Sequence, residues 1–175
     1  MQQGLSRKNK PLQFEVIDLP SGGVTIEEEL SFEEAGLPDE PRCQYLPPLR
    51  CRLHFEAING ENDLLVRGSV RGQARLVCDR CEEWFTREIA VDGFCQVFEK
   101  AFGKTIDLTD FIREDILISF PQQILCRPDC RGLCPHCGQN LNEGQCDCRD
   151  EDFEPDESGD NPWSALDAIP DDRRG

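Results

Sequence analysis

The stretch CRLHFEAINGENDLLVRGSVRGQARLVCDRC, residues 51–81, decides the fold. Its apolar residues alternate with arginines and acids, the pattern of pleated strands that bury one face and wet the other. The alternation breaks at NGEND, where Asn and Gly supply the positive φ of a tight hairpin turn. CRLHFEAI, LLVRGSV and RGQARLVC therefore read as antiparallel strands. The CDRC elbow at 78–81 leads on to WFTREIAV, a turn at Asp92 and Gly93, and FCQVFEK.

The period then changes. In DLTDFIREDILISFP, Leu108, Phe111, Ile112, Ile116 and Ser119 recur at helical spacing, Asp107 or Thr109 can cap the start, and Pro121 ends the run. Upstream, LQFEVID at 12–18 reads as a strand and VTIEEELSFEEAGLPDEP as an acidic solvated face. The expected class is α+β: an antiparallel β-meander or small barrel with one packed helix and a C-terminal cysteine-rich nub. Residues 1–41 would hold the N-terminal strand and acidic segment, and 42–125 the β core with its helix near 107–120. Residues 126–149 would form the cysteine-rich segment, and 150–175 an acidic tail. Within that tail Asp160 or Asn161 can cap a short helix near 162–169, with Pro162 in its first turn and Trp163, Leu166 and Ile169 on one face. Such a turn docks on the protein's own sheet or on a partner.

A chain of 175 residues supports one modest core. No run approaches the roughly 20 apolar residues of a membrane span, and no apolar stretch follows the basic N-terminal residues. The expectation is an unexported, cytoplasmic protein without a membrane partner. Its 35 acids against 19 Lys and Arg give a net charge of −16. That balance disfavours long-range attraction to nucleic acid and suits basic protein partners.

Eleven cysteines in an unexported chain point to metal rather than to disulfides. CDRC, at the junction of two strands, can turn both sulfurs toward one tetrahedral ion, and a second pair must complete that site. In CRPDCRGLCPHCGQNLNEGQCDC, residues 126–148, CPHCG has the form of a zinc knuckle, with Pro135 stiffening the turn and Gly138 free to take positive φ. Such a knuckle closes most easily with Cys146 and Cys148, a short loop away. The reading is thus two structural zinc ions, one on Cys78, Cys81, Cys126 and Cys130 and the other on Cys134, Cys137, Cys146 and Cys148. His136 could substitute as a ligand. Cys43, Cys51 and Cys95 read as small buried apolar residues.

Catalytic readings are weaker. His54 and Glu56 followed by VCDRC approximate the HxE and PCxxC of zinc deaminases, but Val77 replaces the proline and RLHFEAI reads as a strand. Four thiolates leave an ion no open position for water. The CxxC pairs lack the strand–helix context of a redox dithiol.

CDRC after the β segment, the helix ending in ISFPQQ, the GLCPHCGQNLNEGQCDC run and the late NPWSAL together resemble the YceD family, the large ribosomal RNA subunit accumulation proteins. The resemblance runs from about Arg50 to Ile169 and is most specific in the cysteine run. It implies a cytoplasmic or stromal, non-enzymatic factor supporting accumulation of large-subunit ribosomal RNA. Some family members lack the GLCPxCG segment yet keep the earlier CxxC, which agrees with two separable sites. Expected partners are ribosomal proteins or large-subunit assembly factors. Direct contact with the RNA would use the eight arginines between Arg42 and Arg87, with Phe55, Trp84 and Phe85 as stacking rings; the alternative is that these arginines only cover the solvent face. The other readings are a zinc-dependent hydrolase or deaminase acting on nucleic acid, and a zinc-ribbon transcription adaptor.

Overall fold

The computed structural model describes residues 4–8, 10–58 and 62–148. The short helix read around Trp163, Leu166 and Ile169 lies outside the described residues. Seven strands and one helix make up the described chain: β1 (Leu5–Arg7), β2 (Gln13–Val16), β3 (Val24–Leu30), β4 (Cys43–Ile58), β5 (Asp63–Val77), β6 (Trp84–Phe98), β7 (Thr105–Asp107) and α1 (Thr109–Ser119). The fold is mostly antiparallel sheet with one short helix.

β3, β4, β5 and β6 pair in sequence order as a four-stranded antiparallel sheet, and β1, β2 and β7 form a second, three-stranded one. The two sheets share a core. Phe14 of β2 meets Phe55 of β4 edge to face with ring centroids 5.1 Å apart, and both rings are fully buried. On β4, Leu49, Cys51, Leu53 and Phe55 point inward while Arg50 and Arg52 face solvent, the alternation the sequence shows. Helix α1 lays Ile112 and Ile116 on the same core, with Leu108 buried just before it, and Phe111 packs edge to face on Phe98 of β6. The cap differs from expectation. Leu108 is the N-cap residue and supplies no side-chain bond; Asp107 Oδ1 instead accepts the Thr109 N–H at 2.9 Å.

Three sequence readings are corrected. VTIEEEL is an edge strand, not a solvated face: Ile26, Glu28 and Leu30 turn inward, and Glu28 pairs with Arg7. Burial pushes the Glu28 carboxyl up while Arg7 holds it back. LLVRGSV and RGQARLVC are one continuous strand, β5. Asp92 and Gly93 make no turn, because Val91 opposes Val70 and Phe94 opposes Gly68, so that both residues stand opposite Ser69 as a β-bulge. The extra residue moves the inward positions of β6 from Ile89 and Val91 to Phe94, and the strand runs on to Phe98.

Candidate metal centre

The tip of the β5–β6 hairpin presents Cys78 and Cys81. Cys78 N–H bonds to the Glu83 carbonyl, and Glu82 N–H to the Cys78 carbonyl at 3.0 Å, with Glu82 at φ 59°. The chain after α1 is stitched to this tip through Asp79. Its N–H donates to the Ile124 carbonyl at 2.8 Å and its carboxylate accepts the Ile124 N–H at 2.7 Å. That strap brings Cys126 and Cys130 over the elbow. Cys78 and Cys130 Sγ lie 3.8 Å apart, as do Cys81 and Cys126 Sγ.

A second four-sulfur group sits beside the first. The Gly138 N–H returns to the Cys134 carbonyl at 2.9 Å with φ 74°, the same turn that Glu82 makes in CDRC. Cys134 and Cys137 are thereby held in a knuckle, and Cys146 and Cys148 complete the group. In each group the four sulfurs lie within 4.8 Å of one another.

The donor chemistry fits a tetrahedral ion. Zinc–thiolate bonds of about 2.3 Å give sulfur–sulfur edges of about 3.8 Å, the spacing seen in the first group and far beyond a disulfide bond. Thiolates also need N–H donors, and the turns supply them. Burial disfavours the Cys78 thiolate, but the Cys126, Arg80 and Cys81 N–H groups hold its pKa down to about 6. The Cys137 and His136 N–H groups do the same for Cys134, again to about 6. Burial pushes Cys51 in the core up to about 12, with Glu28 adding to the effect, and burial raises Cys81 of the first group to about 12 as well. When bound, zinc would supply a fixed four-way crosslink, here between a hairpin tip and the strap that follows the helix. Four sulfurs occupy all four positions of such an ion.

The eight cysteines singled out from sequence thus come together in the two groups read from their spacing. His136 is not among the sulfur donors of its group. Of the remaining three cysteines, Cys51 is buried and Cys43 half-buried, but Cys95 is exposed, because the bulge places it on the outer face of β6. His54 faces Thr25, 2.9 Å from its hydroxyl.

The arginine-rich face is also redrawn. Phe55 lies in the core and cannot stack on a base, and Phe85 is half-buried between the core and the first sulfur group. Trp84 is 39% exposed and lies under the Arg75 guanidinium, 5.4 Å from the ring centroid. Arg50 pairs with Glu29 at 2.7 Å, Arg52 with Glu27 at 3.5 Å, and Arg71 with Asp92. The acids of strands β3 and β6 flank the arginine stripe of β4 and β5, so the solvent face of the sheet is mixed rather than basic.

Three side chains to which sequence reading gave no role in a metal site organise the centre: Asp79, Arg80 and Asn142. Arg80 Nη1 donates to the Cys130 carbonyl at 3.0 Å. Asn142 donates through Nδ2 to Cys130 Sγ at 3.4 Å and to Asn140 Oδ1 at 2.8 Å. Its Oδ1 accepts from the Arg131 N–H and from Arg127. Polar residues inside a cysteine run are the only sequence signal of such roles.

A family model described as "YceD: Large ribosomal RNA subunit accumulation protein YceD" matches residues 97–169. Two curated relatives, from Zea mays and Arabidopsis thaliana, are both named "Large ribosomal RNA subunit accumulation protein YCED homolog 1, chloroplastic". The first is 40% identical over 50 residues, which are 28% of this chain and 17% of the relative. The second is 37% identical over 49 residues, 28% of this chain and 15% of the relative. The chain therefore spans about a sixth of the length of each. No solved structure matches. Among the described residues no helix is long and apolar enough to cross a membrane.

Proposed function

Because residues 97–169 make this chain YceD-like, we propose that it is a non-enzymatic factor supporting the accumulation of large-subunit ribosomal RNA, with two structural zinc ions shaping a protein-binding surface. The observation that carries the proposal is that the family-matched segment contains six of the eight clustered cysteines, while the other two, Cys78 and Cys81, lie at the tip of the β5–β6 hairpin. Zinc in the first group would therefore fix the matched segment onto the hairpin tip, and zinc in the second would close the segment on itself. Its clients are basic: ribosomal proteins or large-subunit assembly factors, attracted by a net charge of −16 that eight zinc-bound thiolates and two dications lower to about −20. The chain acts in the cytoplasm or its plastid equivalent.

Affinity purification of the tagged chain, with associated proteins and RNA identified, tests this reading. Recovery of large-subunit ribosomal proteins is the expected result. Recovery of RNA polymerase without ribosomal components would replace it with the transcription-adaptor reading.

A further inference from the structure

The two sulfur groups are not independent neighbours. The loop that belongs to the second group, between Cys137 and Cys146, sends one side chain into the first. Asn142 donates to Cys130 Sγ at 3.4 Å, and every other polar position on its amide is also used. Nδ2 meets Asn140 Oδ1 at 2.8 Å, while Oδ1 takes the Arg131 N–H at 2.9 Å and Arg127 Nη2 at 2.7 Å. The Asn142 N–H also bonds to Asn140 Oδ1, at 3.0 Å. A backbone bond ties the same loop down, Leu141 N–H to the Gly132 carbonyl at 2.9 Å, and just before the knuckle Leu133 N–H bonds to the Arg80 carbonyl at 3.0 Å. Arg80 lies between the ligands Cys78 and Cys81, so the second lobe is fastened to the CDRC turn as well as to Cys130.

We infer that Asn142 is a positioning residue that couples the two metal sites, so that zinc in the second site strengthens the hold of the first. The inference rests on the reading of both groups as zinc sites. A thiolate bound to zinc keeps much of its charge, and a hydrogen bond to a charged acceptor is worth more than one to a neutral group. The donor is in place only while the 138–145 loop is folded, and that short loop has no apolar core of its own. The chain closes it with Cys134 and Cys137 on one side and Cys146 and Cys148 on the other. Zinc in the second site thus pre-orders the Asn142 donor, and by linkage the first site favours the second by the same factor. The more exposed lobe, where Cys137 lies open to solvent, becomes the point at which zinc loss loosens the strap on the sheet.

The test uses the full chain loaded with zinc and a chromogenic zinc chelator of known affinity. The double variant Cys137→Ser, Cys148→Ser removes the second site. The inference expects the remaining ion to bind more weakly by on the order of tenfold. Asn142→Ala should weaken the first site comparably with all eight thiolates retained, and Asn142→Asp, the same shape without the N–H, should do likewise. Combining Asn142→Ala with the double variant should add nothing further, since both remove one contact. With cobalt(II) in place of zinc, Asn142→Ala should shift the thiolate-to-metal charge-transfer band to longer wavelength, a change that a purely structural role would not produce. First-site affinity unchanged in the Asn142 variants, or effects that add, would overturn the coupling. If the double variant loses both ions, the Asn142 variants decide. A wild-type chain that binds no zinc removes the metal reading itself, whereas two tightly bound but unlinked ions remove only the coupling.

Discussion

At Glu82 a residue with a side chain occupies the left-handed conformation that Gly138 occupies in the second knuckle. Both follow a Cys-x-x-Cys pair and both return an N–H to the first cysteine's carbonyl. Glycine takes that conformation freely, whereas other residues are strained by about 1–2 kcal/mol, partly offset by glycine's larger entropy loss on folding. Glu82→Gly is therefore expected to stabilise the zinc-loaded protein by about 0.5–1 kcal/mol, read from denaturant unfolding. The cysteines separate just as sharply by role. Cys78→Ser should lower bound metal by one equivalent, whereas Cys95→Ser, at an exposed thiol outside both groups, should leave metal content unchanged. Element analysis of the purified proteins reads both. The grouping of the eight sulfurs was legible because the cysteines come in close pairs and CPHCG closes most easily with the nearest one, Cys146 and Cys148, which leaves Cys126 and Cys130 for CDRC. Asp79, Arg80 and Asn142 were not, because an Asp, an Arg or an Asn in a loop carries no periodicity and its partners are set by the fold.

Among the elements, the bulge on β6 was the hardest to read. Asp92-Gly93 is a strong turn signal, yet the flanking residues continue the ladder to β5, and the pair is accommodated opposite Ser69 instead. Proline likewise misleads in β4, where Pro47 and Pro48 sit within the strand at a register shift between Leu46 and Arg50. Glycine substitutions separate crowded from open positions on this sheet. A Cβ on Gly68 would stand 2.2 Å from the Arg52 carbonyl oxygen, while one on Gly93 meets nothing within 4 Å. Gly68→Ala should cost about 1–3 kcal/mol or more, and Gly93→Ala should lie within about 0.5 kcal/mol of wild type. At the start of α1, Asp107 has an acid-dependent role. Burial opposes its ionisation, but Thr109 and the Gln13 amide, at 2.7 Å, hold its carboxyl below the usual range. A depressed carboxyl stabilises the fold above the ordinary Asp value of about 4 and ceases to do so as pH falls through its lower native value. The stability gap between wild type and Asp107→Asn should thus be largest near pH 7 and close as pH falls through the lowered native value, with zinc loss common to both chains. The helix, β2, β5, β6 and the second half of β4 were otherwise visible in their periods; β1, β7 and the first half of β4 were not read from the sequence, and in β3 the glutamates hid three inward positions.

Across the described residues, one core carries both sheets and the helix, and the first sulfur group sits at its edge. Phe85 packs against both. The account therefore assigns stability to the core and shape to the metal: Phe55→Ala should cost about 3–5 kcal/mol wherever metal is present, while metal loss should loosen the 126–148 segment first. The proposed function rests on the cysteine run and the resemblance it carries. The acidic composition excluded a basic nucleic-acid binder but named no client. The most direct test of a metal-shaped, non-catalytic factor is the ratio of mature large- to small-subunit ribosomal RNA in cells depleted of the protein and complemented with single variants. The account predicts that depletion lowers the ratio, that Glu56→Gln restores it as wild type does, and that Cys78→Ser does not. Full restoration by Cys78→Ser, or failure of Glu56→Gln in a folded, zinc-loaded chain, would contradict it.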